Sequence, residues 1–213
     1  MTELTVGPGR RKMERRKDIR NRLLVAIEEL AAGGEPCSTV TVERLVAAAG
    51  ISRATFYIYF DSKADLLQAW FADTLHEFAA AAGAWQAMST RPTEAELRAA
   101  VDDIAACHAG RAALLAAVSD EATQNAELRE GINAAIRVAI DSVRQHIELG
   151  QREGWVDQGL LPAETAAWLI WMLERGLTQM AASASRRRAP ALKSNFVSMA
   201  WHVLYDDAPS ATR

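Results

Sequence analysis

The stretch Thr41–Lys63, TVERLVAAAGISRATFYIYFDSK, divides into two short helices joined by a glycine turn. Val42, Leu45, Val46 and Ala49 fall at i, i+3, i+4 and i+7, so one face of a first helix is apolar while Glu43 and Arg44 point away from it. Gly50 supplies the left-handed residue that stops this helix, Ile51 turns inward, and Ser52 is placed to cap a second helix. In that second helix Phe56 and Phe60 lie four residues apart and share the inner face. Arg53, Thr55, Tyr57 and Tyr59 are left for other surfaces. Asp61 or Ser62 starts a third helix with Lys63 in its first turn, where a cation opposes the helix dipole and is better explained by a phosphate partner. Two short helices crossing at a tight turn form a helix-turn-helix, a shape that enters the major groove of DNA.

The charge distribution agrees with that reading. The chain of 213 residues has a formal net charge of -3, which by itself argues against a nucleic-acid partner. Between Arg10 and Arg22, however, eight basic residues face only Glu14 and Asp18, whereas beyond Trp70 acidic residues outnumber basic ones by 18 to 13. A basic helix placed directly before a helix-turn-helix is suited to phosphates.

The run AAAGISRATFYIYFDSKADLL, preceded by this basic amphipathic helix and followed by alanine-rich helical sequence, resembles the signature of TetR/AcrR-family transcriptional regulators. The resemblance is specific over about sixty residues and loose beyond them. Tyr57-Ile58-Tyr59-Phe60 and the later tryptophan-rich helices are most similar to the ethionamide-regulator-like branch. Ile58 stands where many members carry a polar residue. The resemblance implies an all-α fold, with an N-terminal arm and three-helix helix-turn-helix domain over 1–61 and a helical-bundle ligand-binding and dimerisation domain over 62–213. It also implies that the last two helices pack against their copies in a homodimer.

The rest of the chain suits a helical protein. Half of its residues are hydrophobic, Pro is scarce at six, and there is no alternating strand pattern. Residues 1 to about 9 read as a Gly/Pro-punctuated arm. A first helix is expected from about Lys12 to Ala32, ended by Gly33-Gly34, which with the two helices of the turn makes a three-helix module, and the following helix, from about Ser62 to Ala82, is expected to leave the module and link it to the rest of the chain. Further helices are expected from Arg91-Pro92-Thr93 to about Cys107, after Gly110, from Asn125 to Gly150, from Pro162 to about Ser185, and from Pro190 to Tyr205. Cys37 and Cys107 lack metal-ligand spacing and read as reduced, buried thiols. No run approaches a membrane span and no signal-peptide core follows the charged N-terminus, which predicts a cytoplasmic protein.

Candidate DNA contacts are Thr41, Arg44, Ser52, Arg53, Thr55, Tyr57, Tyr59 and Lys63. Arg53 and Thr55 are expected at base edges, and Lys63, Thr41, Tyr57 and Tyr59 at phosphates with the basic helix. Phe78, Trp85, Trp155, Trp168, Trp171, Met172 and Trp201 are candidates for an apolar pocket that takes a small hydrophobic effector, with Asn133, Thr178 or Gln179 as polar anchors. Each of these residues can equally be core. The four histidines are scattered and no HExxH, GxSxG or phosphate-binding loop is present, so no catalytic residue, metal site or cofactor is expected. The expected function is a repressor released from a palindromic operator by its ligand. The alternatives are a helical interaction module or a ligand-insensitive DNA-binding protein.

Overall fold

The computed structural model describes residues 8–35, 37, 39–86, 90–181 and 188–206, with the side chains of 8–12, 84, 86 and 181 set aside. The described residues are helical, without strands: α1 (Pro8–Ala32), α2 (Val42–Ala48), α3 (Arg53–Tyr59), α4 (Lys63–Gln86), α5 (Glu94–Gly110), α6 (Ala112–Ala122), α7 (Ala126–Glu153), α8 (Pro162–Arg175) and α9 (Arg188–Trp201). The all-α expectation is borne out. Two helices continue into π-helical turns, Gly176–Ala181 after α8 and His202–Asp206 after α9.

The helix boundaries follow local chemistry. Thr41, Ser52 and Thr93 each accept a hydrogen bond from the backbone N–H three residues on, and at Thr93 the Glu96 carboxylate returns the bond to complete a capping box. Asn125 Oδ1 accepts from Leu128 N at the start of α7, and Pro162 opens α8, where its missing N–H costs nothing. The expected start of α1 near Lys12 is corrected to Pro8, because proline fits the first helical turn and no later residue interrupts. Arm residues 1–7 lie outside the described residues. So do 182–187, onto which α8 was expected to run; its α-helical part ends at Arg175.

The chain forms two compact units, Met1–Asp73 with Ala113–Arg129, and Thr74–Ala112 with Glu130–Arg213. In the first, Ile19, Leu23 and Ile27 of α1, Leu45 and Val46 of α2, Phe56 and Phe60, and Leu66, Leu67 and Trp70 of α4 are buried. Trp70 Nε1 donates to the Arg20 carbonyl at 3.1 Å, which fixes α4 against α1 without leaving the indole N–H unpaired. Leu114, Ala117, Val118 and Ala122 supply the buried face of α6.

In the second unit the core gathers Leu97, Val101, Val143, Ile147, Val156, Leu169, Val197 and Leu204 around a buried aromatic group. His146 and Tyr205 meet at 2.9 Å between Nε2 and the phenolic oxygen, with the Trp85 and Trp155 rings 4.4 and 5.1 Å from the imidazole. Burial pushes the Tyr205 hydroxyl far above its ordinary range, so it remains protonated and able to donate. Arg91 closes the group by donating to the Tyr205 carbonyl at 2.7 Å while lying over the Trp201 ring. Both cysteines are free thiols, but Cys107 is half-exposed rather than buried, with its sulfur 3.7 Å from Glu77.

Candidate nucleic-acid interface

The turn between α2 and α3 has the hydrogen bonds of a Schellman cap. Ile51 N donates to Val46 O at 3.0 Å and Gly50 N to Ala47 O at 3.2 Å, while Gly50 takes φ +62°. Ser52 then caps α3, its Oγ accepting from Thr55 N at 3.0 Å and lying 2.8 Å from Thr55 Oγ1. Phe56 and Phe60 are fully buried, with ring centroids 5.5 Å apart. This pins one face of α3 to the core and turns Arg53, Ala54, Tyr57 and Ile58 to the outside, with Thr55 and Tyr59 at the margin. Ile58 is 63% exposed, an apolar group placed on the outer face of a polar helix.

The sequence-predicted contacts therefore share one region, but several are already engaged. Arg53 pairs with Glu43 at 2.7 Å and its guanidinium lies 5.5 Å from the Tyr57 ring centroid. Arg44 pairs with Glu35 at 3.3 Å, and its backbone N–H is the donor to Thr41 Oγ1. Lys63, half-buried, donates from Nζ to the Cys37 carbonyl at 3.2 Å, and desolvation lowers its pKa against the opposing pull of Glu121, Cys37 and Asp120. Ser52 is spent on its cap. Arg53, Tyr57 and Tyr59 remain on the surface, and the Arg53–Glu43 pair is exposed enough to exchange for another partner at little cost.

The candidate pocket residues separate into two groups. Trp85 and Trp155 are buried against His146, and the Trp201 ring lies tilted against that of Tyr205, centroids 4.7 Å apart, in the same aromatic group. Trp168, 71% exposed, lies with Trp171 and Met172 on the outer face of α8. Phe78 is half-buried on α4. Helical periodicity places Trp85, Trp168, Trp171 and Trp201 on a side of their helices but does not say what faces that side, and Trp155 lies in the turn after α7, so sequence alone could not separate these groups. The ion-pair partners Glu43 and Glu35 were likewise missed. Their only sequence signal is opposite charge nearby.

Residues 23–70 match the family described as bacterial regulatory proteins, tetR family. The fold is shared with TetR-family regulators. GusR of Salmonella enterica is 16% identical with a TM-score of 0.69, over 88% of this chain and 95% of that one. A TetR transcription regulator of Haloarcula marismortui ATCC 43049 is 16% identical with a TM-score of 0.71, over 88% of this chain and 99% of the other. The transcriptional regulator FadR of Bacillus subtilis, in complex with stearoyl-CoA, is 18% identical with a TM-score of 0.69, over 86% and 98%. No curated protein matches the chain. Among the described residues no helix is long and apolar enough to cross a membrane, and no group of three or more His, Cys, Asp and Glu could hold a metal ion.

Proposed function

We propose that the chain is a TetR-type transcriptional regulator that binds a palindromic DNA operator as a homodimer and leaves it when a small hydrophobic molecule binds. The observation that carries this reading is α3 itself. It is held to the core by Phe56 and Phe60, capped by Ser52, and presents Arg53, Ala54, Tyr57 and Ile58 outward within the segment that matches the family. Arg53 and Thr55 near its start suit base edges, where arginine meets guanine and the threonine methyl meets thymine. Tyr57, Tyr59, Thr41 and the basic face of α1 suit phosphates, with Arg44 and Lys63 joining once they exchange their present partners.

A single recognition helix reads one half-site, so a palindrome requires a second copy. The apolar outer faces of α8, α9 and the π-turns that follow them support that assembly: Trp168, Trp171 and Met172 on α8, Met180 in the turn after it, Met199 on α9 and Val203 in the turn after that are exposed. Exposed large apolar residues grouped on two helices are what a subunit interface covers. We assign DNA binding to 1–61 and effector binding and dimerisation to 62–213. The aromatic run 56–60 supports a place near the ethionamide-regulator-like branch, and the stearoyl-CoA complex of a regulator sharing the fold supports an apolar, elongated effector.

Selection from random duplex DNA with the purified protein, followed by binding of the enriched sequence across a salt series, tests the reading. A palindromic site whose affinity falls steeply with salt is expected. Absence of sequence enrichment by protein free of small molecules refutes operator binding, and an effector that binds without weakening the operator complex refutes the coupling.

A further inference from the structure

The carbonyl groups at the end of α2 have an incomplete set of backbone donors. Leu45, Val46 and Ala47 are served by Ala49, Ile51 and Gly50 through the cap. Two carbonyls further along, those of Ala49 and Gly50 in the turn itself, are reached instead by one side-chain nitrogen. Arg22 Nη2, on α1, donates to Ala49 O at 2.8 Å and to Gly50 O at 3.1 Å. These carbonyls lie in the three-residue link that sets the course of the chain from α2 into Ser52 and α3. The same guanidinium brings a cation to the negative end of α2, a helix with no basic residue in its own last turn.

We infer that Arg22 is a positioning residue for the recognition helix: it clamps the turn ahead of α3 and so contributes to operator discrimination, whereas its neighbours in the basic run serve phosphates. The inference rests on the DNA-binding function proposed above. A charged donor shared by two carbonyls that orient α3 acts on the fit of α3 to bases, and that fit matters only on the correct sequence. A phosphate contact acts on every sequence alike.

The test uses the full-length protein, the operator selected by the wild type and a non-operator duplex, with affinities measured across a salt series. Arg22→Met, which keeps the aliphatic stem, is expected to lower operator affinity about tenfold, the size of a lost charged hydrogen bond, with non-operator affinity and salt slope unchanged. Arg22→Lys keeps the charge but loses the planar fork, and is expected to lose about threefold on the operator at the same slope. Retained non-operator binding and helical circular dichroism show that both variants fold. A salt slope reduced by about one in Arg22→Met, with both affinities falling in parallel and Arg22→Lys at wild-type affinity, makes Arg22 a phosphate contact and overturns the inference. Unchanged operator affinity in both variants overturns it as well. Failure of the wild type to prefer any operator is a separate result, which removes the DNA-binding function before a variant is compared.

Discussion

Two glycines in α7 should respond oppositely to the same substitution. Gly131 has nothing within 4 Å of where a Cβ would stand, so Gly131→Ala adds a methyl into open space and gains helix propensity of about 0.5–1 kcal/mol. At Gly150 the same methyl would overlap Val156 and the six-membered ring of Trp155, whose Cε3 would be 2.7 Å away. Neither neighbour can give way easily, since Val156 is fully buried and Trp155 is held against His146. Overpacking costs about 1–3 kcal/mol, and three atoms inside 3 Å put this site in the upper part of that range, so the cost exceeds the propensity gain and leaves Gly150→Ala net destabilised by about 1–2 kcal/mol. For a chain of this length 1 kcal/mol moves the melting temperature by about 2–4 °C. Thermal unfolding followed by circular dichroism should therefore place Gly150→Ala about 2–8 °C below the wild type and Gly131→Ala about 1–4 °C above it. Equal shifts, or a Gly150→Ala variant at least as stable as the wild type, would refute the close packing assigned to the α7 end.

Trp168→Glu puts a charge in the centre of the apolar face of α8 and should raise the dimer dissociation constant by about 30-fold or more, read by sedimentation velocity, with operator affinity falling alongside. Arg53→Ala should relax preference at one base pair in each half-site by about 1–3 kcal/mol, measured on single-base operator variants; uniform weakening on all sequences would make it a backbone contact. Glu77 takes two hydrogen bonds from Arg111, at 2.9 and 3.2 Å, and this hydrogen bonding holds its carboxyl below the usual range. A lowered folded pKa gives stability that is present above the unfolded value of about 4.3 and is lost as pH falls through the folded value. Because the pair is partly exposed and screened by solvent, Glu77→Gln should cost under about 1 kcal/mol at neutral pH and nothing in strong acid, as chemical denaturation across that range would record.

The helix-turn-helix was legible because everything that makes it is local. Apolar spacing in α2, the left-handed Gly50 and the Ser52 cap lie within a dozen residues and need no distant partner. The same holds for Thr93, Pro162 and the long stripe of α7. What escaped reading depends on partners brought by the fold. Trp155 and Trp168 look alike in sequence, yet one packs on an imidazole and the other faces out from α8. The π-turns after α8 and α9 interrupt no apolar pattern and contain no proline, so periodicity passes over them. His146, read as a solitary histidine, acquires its meaning from Tyr205, 59 residues away.

The cations of α1 and of the helix-turn-helix illustrate why counting charges overstates what DNA can use. Arg16 is paired with Asp65, Arg20 with Asp73, Arg44 with Glu35 and Arg53 with Glu43, while Arg22 and Lys63 hold backbone carbonyls. These engagements differ in what release would cost. Exposed ion pairs contribute only about 0–1 kcal/mol each, so Arg53 can leave Glu43 for a guanine edge or a phosphate with little loss. A guanidinium that completes a turn cannot be withdrawn without leaving carbonyls unserved at the entrance to α3. Net charge and local charge density thus set the attraction toward DNA, whereas the partner already held decides which cations are free to specify sequence and which keep the reading helix in place.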